Sequence, residues 1–83
     1  MSRKKLPIKP NTIGARIHRL REARGMTQKQ FAQRVFTNPS AVGYWESGRV
    51  LPSCEMIISI CRNCCVTSDW LLGLDKPETA GGE

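Results

Sequence analysis

The sequence lacks any apolar run approaching the roughly 18 uninterrupted residues that a membrane span requires. Its N-terminus is basic but has no apolar stretch of the kind a secretory signal carries, so a cytoplasmic location is expected. Acidic residues are scarce: 7 Asp and Glu stand against 13 Lys and Arg. The first 49 residues carry only Glu22 and Glu46. Histidine occurs once, as His18, which leaves the cysteines without the partners a zinc finger needs. No segment alternates polar and apolar residues for long, so strands are not expected. No nucleophile–base pair, carboxylate pair or phosphate-binding glycine loop stands out, which argues against an enzyme.

What is present is a short, basic, foldable chain. It has 83 residues, a net charge of +6 and 40% hydrophobic residues, including two Trp. This is room for one small domain with an economical core. The charge is uneven. Residues 1–49 hold 11 of the 13 basic side chains, while the remainder holds Arg62 and Lys76 against five acids. One basic half and one acidic half point to a polyanion on one side, nucleic acid being the commonest.

Apolar spacing and cap residues divide the chain into five helices. Residues 1–10 read as a basic arm, interrupted by Pro7 and Pro10. A first helix runs from about Asn11 to Arg24, capped by Asn11 or Thr12 and stopped by Gly25. Its stripe is Ile13, Ile17 and Leu20; Arg16, Arg19 and Arg24 lie off it and Arg21 sits at its edge. A second helix starts at Thr27, whose spacing to Gln30 is that of a capping box, with Phe31, Ala32 and Val35 inward. A third begins at Asn38-Pro39, a good cap followed by a proline suited to the first helical position. Val42 and Trp45 face the core and Gly48 ends it. Only Phe36 and Thr37 separate helices two and three, the length of a tight helix–turn–helix connection. A fourth helix follows Pro52-Ser53, with Met56, Ile57, Ile60, Cys61 and Cys64 as its apolar band. The fifth lies between Thr67 and Gly73, with Trp70, Leu71 and Leu74 as apolar residues. The expected fold is all-α, with one domain over residues 11–74 and a flexible tail over 75–83. Cys54, Cys61, Cys64 and Cys65 read as core-filling free thiols, not as a metal site.

Three segments, IGARIHRLREARGMTQKQFAQRV, NPSAVGYWESGRVLP and VTSDWLLG, occur in order. Together they resemble the xenobiotic-response-element class of helix-turn-helix proteins, the Cro-like and lambdoid-phage-repressor-like DNA-binding domains. The resemblance spans residues 14–73. It implies a compact five-helix, lambda-repressor-like domain that binds double-stranded DNA. In such a domain the third helix enters the major groove and the second crosses above it. With Val42 and Trp45 committed to the core, Pro39, Ser40, Gly43 and Tyr44 remain to face base edges. The resemblance implies phosphate contacts at Gln28 and Arg49, with Asn38, Ser47 and Lys29 as lesser neighbours. It also implies a partly buried ion pair between Arg21 and Glu46. His18 reads as solvated or close to phosphate. One departure is Phe36, which stands where the family has Gly in the turn; either the turn differs or Phe36 bears left-handed strain.

The expected function is a sequence-specific transcription regulator, a repressor of phage or bacterial type. It would bind a pseudo-palindromic operator as a homodimer, with Trp70, Leu71 and Leu74 as the dimer surface. No cofactor, metal, small-molecule ligand or membrane contact is expected. The rival readings are an antitoxin-type interaction module that also binds DNA, and non-specific nucleic-acid or RNA binding.

Overall fold

The computed structural model describes residues 12–74. The proposed arm, Asn11 and the proposed tail lie outside the described residues. Within them the chain forms five helices and no strand: α1 (Ile13–Ala23), α2 (Gln28–Val35), α3 (Pro39–Ser47), α4 (Cys54–Cys64) and α5 (Ser68–Leu72).

Each helix starts on a side-chain cap. Thr12, Thr27, Asn38, Ser53 and Thr67 all sit in extended backbone, and each accepts a hydrogen bond from the backbone N–H three residues on. These bonds satisfy N–H groups that have no partner within the helix. At Thr27 the capping box is complete, because Gln30 Oε1 accepts the Thr27 N–H at 2.9 Å in return. Gly48 and Gly73 end α3 and α5 in the left-handed conformation. Phe36 does the same for α2, at φ 69° and ψ 49°. The turn therefore keeps the left-handed geometry and Phe36 bears the strain, with its ring 77% exposed.

α1 and α2 both pack on α3, α2 also packs on α4, and α5 closes against α4 and α1. The core is one cluster drawn from all five helices. Ile17, Leu20, Phe31, Val35, Val42, Trp45, Ile60 and Leu71 are among its members. α1 can lie close against α3 because position 14 has no side chain. A Cβ there would stand 2.2 Å from the Trp45 carbonyl oxygen, well inside contact distance.

Two sequence expectations need correction, and one residue off the expected stripe proves to be buried. Arg16 lies off the apolar stripe yet is buried, at 9% exposure. Its guanidinium stacks 5.4 Å from the centre of the Trp70 ring and donates to the Trp70 carbonyl. A cation thus meets both an aromatic face and a carbonyl near the end of α5. Leu71 belongs to the core, fully buried, and cannot form a dimer surface. Nor do all four thiols fill the core. Cys64 is buried and Cys61 half-buried, but Cys54 and Cys65 are exposed at the two ends of α4. Burial pushes the Cys61 and Cys64 thiols up; for Cys64 the charges of Arg24 and Arg34 offset part of this. Those two arginines donate to the Cys64 and Asn63 carbonyls, capping the C-terminal end of α4.

Candidate nucleic-acid interface

α3 presents one face to the core and the other to solvent. Val42 and Trp45 point inward. Pro39, Ser40 and Tyr44 are exposed, Tyr44 by 47%. With Gly43, Ser47, Arg49 and Gln28 they line a single open concavity of about 450 Å³. Seven of the nine residues assigned from sequence to base or phosphate contact therefore share one surface. Lys29 and Asn38 do not line it. Lys29 is exposed beside Gln28 on α2. Asn38 uses its side-chain oxygen to accept the Ala41 N–H at 2.9 Å, so its amide NH₂ is the part that faces outward chemistry.

Several local bonds shape this surface. Ser47 Oγ donates to the Tyr44 carbonyl at 3.0 Å and accepts the Arg49 N–H at 3.3 Å, which fixes the chain as it leaves α3. Gly43 stands beneath the Gln28 side chain. A Cβ there would meet its terminal atoms at 3.7 and 3.8 Å, an ordinary contact. Gly43 is thus not required by space, unlike Gly14.

Behind the surface Arg21 and Glu46 tie α1 to α3. Arg21 Nε donates to Glu46 Oε2 at 2.6 Å and Nη2 to Oε1 at 3.1 Å, while Nη1 donates to the Met26 carbonyl at 2.8 Å. The two side chains are 14% and 8% exposed. Burial pushes the Glu46 carboxyl up, but hydrogen bonds from Arg21, His18 and Gln28, together with the Arg21 charge, outweigh it. The net effect holds Glu46 below the usual carboxylate range. The same pairing raises Arg21.

Two partners of Glu46 were not foreseen from the sequence. Gln28 Nε2 donates to Glu46 Oε1 at 3.2 Å, so this glutamine is held on the protein. His18 is not simply solvated. Its Nε2 lies 3.2 Å from Glu22 and its Nδ1 3.1 Å from Glu46. The spacing of His18 and Glu22, four apart on one helix, was the available signal; the link to Glu46 depends on how α1 crosses α3.

A family model described as a helix-turn-helix domain matches residues 12–75. The chain belongs to this family. Its helix-turn-helix unit is α2 and α3, and the concavity above lies on the outer face of α3. The transcriptional activator BcrR of Enterococcus faecalis is 33% identical over 57 residues, 69% of this chain. The chain spans about 28% of that relative's length. Among solved structures the fold is similar to the P22 c2 repressor in complex with synthetic operator 9T, at TM-score 0.72 and 23% identity. That match covers 77% of this chain and 97% of the other. It is also similar to the restriction-modification controller protein C.AhdI from Aeromonas hydrophila, at TM-score 0.67 and 27% identity, covering 72% and 91% of the two chains. The proteins so matched are named as a transcriptional activator, a repressor and a restriction-modification controller. Among the described residues no helix is long and apolar enough to cross a membrane.

This helix-turn-helix domain has a second surface feature. Ile13, Leu51, Pro52, Cys54, Ile57, Ile58 and Leu72 line an almost wholly apolar hollow of about 360 Å³. Leu51 is 69% exposed, and Val50, Ile58, Leu72 and Leu74 are exposed as well. Of the three residues assigned to a dimer surface from sequence, Leu71 is core, Trp70 is half-buried against Arg16, and Leu74 is exposed.

Proposed function

We propose that this chain is a sequence-specific DNA-binding regulator that grips its operator as a dimer. The carrying observation is that Gln28, Pro39, Ser40, Tyr44 and Arg49, from two helices and a loop, line one concavity on the outer face of α3. An α-helix fits the major groove, and residues near its N-terminal end then meet base edges. Ser40 hydrogen-bonds either type of base pair, so it discriminates weakly. Tyr44 supplies a ring to pack on a thymine methyl and a hydroxyl for a base or phosphate. Gln28, Arg49, Ser47, Lys29 and the Asn38 amide reach the backbone on either side, which sets register without reading sequence.

The dimer surface we assign is the apolar hollow, with Leu51, Ile58 and Leu72 at its centre. A contiguous apolar patch of this kind is what a self-association surface offers. Val50 and Leu51 follow Arg49 directly, so the hollow adjoins the DNA-facing side. Two copies joined there would present both α3 helices to one side of the duplex. Bound over a promoter, such a dimer would exclude polymerase, which makes repression the expected sign.

Selection of bound duplexes from a random DNA pool tests this reading. It predicts one enriched motif with two inverted half-sites about one helical turn apart. Absence of any enriched motif would reject it and favour a protein-interaction role; an asymmetric single half-site would reject the dimer alone.

A further inference from the structure

A second concavity, of about 520 Å³, lies on the flank of α2 that meets the end of α4. Arg24, Gly25, Met26, Gln30, Gln33 and Arg34 line it. It shares no lining residue with the concavity over α3. Its two arginines are anchored on neighbouring carbonyls of α4. Arg24 Nη2 donates to that of Cys64, and Arg34 Nη1 donates to that of Asn63 at 3.3 Å. Consecutive carbonyls stand close together in a helix, so the two guanidinium groups are drawn to one place.

Each of these bonds uses one of the five N–H donors on a guanidinium. Among the described residues neither arginine pairs with a carboxylate, and no acidic residue lines the concavity. The C-terminal end of a helix carries only about half a negative charge, less than the two full charges beside it. An anion set between the arginines relieves their repulsion and takes up their remaining donors. The other lining groups suit an anion borne on a peptide. Gln30 Oε1 already accepts the Thr27 N–H, which leaves its NH₂ to donate, and Gln33 is exposed. Met26 is half-buried against the core and offers an apolar floor. A Cβ on Gly25 would meet nothing within 4 Å, so the rim there is open.

We propose that this concavity docks an acidic segment of a partner protein, with a Glu or Asp carboxylate held between Arg24 and Arg34. The planar fork of arginine binds a carboxylate through two parallel hydrogen bonds. The methylene stem of the acidic residue lies on Met26, and the two glutamine amides donate to the partner's backbone carbonyls. This inference goes beyond the proposed DNA-binding role and does not depend on it.

The probe is a short synthetic peptide of alternating Glu and Gly, titrated into the full chain at fixed salt. NMR follows the arginine Nε–H groups and the side-chain amides. The Arg24 and Arg34 Nε–H signals and the Gln33 amide are expected to shift together and to saturate. Arg34→Gln is expected to raise Kd by at least about tenfold, the worth of a hydrogen bond between charged groups. Because Arg34 also caps α4, Gln33→Ala serves as the second variant, with an expected rise of about fivefold, one ordinary hydrogen bond. An unchanged Kd in both variants overturns the proposal. So do peptide-induced shifts centred on Ser40, Tyr44 and Arg49, which would mean attraction by charge alone. Equal shifts from inorganic phosphate at the same concentration would make this a general anion site and overturn the peptide assignment. A full chain carrying Asp75→Asn, Glu78→Gln and Glu83→Gln completes the test. Its Arg24 and Arg34 signals are expected to match those of the unmodified chain without peptide; a shift would make the chain's own acidic residues the occupant and overturn the partner.

Discussion

A methyl group added at position 14 would meet the Trp45 carbonyl at 2.2 Å, and a backbone oxygen cannot rotate away. Gly14→Ala should therefore push α1 off α3 and destabilise the fold by about 2 kcal/mol, on the scale of an overpacked core. Chemical denaturation would measure it; an unchanged midpoint would mean that the two helices do not cross this closely. Phe36 offers the opposite experiment. A non-glycine residue in the left-handed region costs roughly 1–2 kcal/mol, and this ring is too exposed to recover much by burial. Phe36→Gly should stabilise the domain by about 1 kcal/mol, less whatever glycine adds to the entropy of the unfolded chain. At Glu46 the argument is electrostatic. Removing one partner of a nearly buried pair strands the other, so Glu46→Ala should cost about 3 kcal/mol at neutral pH. Because the fold holds this carboxyl below its usual range, that stabilisation is complete above the carboxylate range. It is lost as pH falls through the lowered value. Denaturation of both chains across pH 2 to 7 should show their stabilities converging in acid.

At the scale of the helix, much of the fold could be read from cap chemistry. Thr27 with Gln30, Asn38 with Pro39, Ser53, Thr67, Gly48 and Gly73 mark starts and stops whose physics is local. What stayed hidden depends on how helices meet. In a helix of five residues, spacing alone does not say whether Leu71 or Leu72 faces the core, and it is Leu71 that does. Arg16 lies off the stripe, and helix spacing could not give it a partner, since the Trp70 ring and carbonyl that hold it come from 54 residues away. The residues around α3 were legible because the committed core positions Val42 and Trp45 left only one other face. The glutamine and histidine on Glu46 were not, since they depend on the crossing of α1, α2 and α3. The same reasoning moves the candidate dimer surface from Leu71 to the hollow of α4 and α5. Charged substitutions at Ile58 and Leu72, both exposed, should abolish self-association in sedimentation while leaving the helical content and melting of the monomer near those of the parent. A dimer that survives both changes would place the interface elsewhere.

At the scale of the molecule, the charge division has a physical reading. The first 49 residues carry most of the positive charge and include α1, α2 and α3. The acidic remainder includes α4 and α5, which line the apolar hollow together with Leu51, Pro52 and Ile13 of α1. The α3 concavity and the apolar hollow share no lining residue, so the polyanion and the second subunit proposed for them would not compete for the same side chains. Charge alone would attract any nucleic acid, however, and among the described residues the α3 concavity is the surface proposed to supply a preference among sequences. The decisive quantity is the ratio of Kd for random duplex to Kd for the selected duplex, measured at one salt concentration. Specific recognition through this surface predicts a ratio above about 10³, falling sharply in Tyr44→Ala. A ratio below about 10 in the unmodified chain would mean that the basic half merely holds phosphate, and would contradict the account.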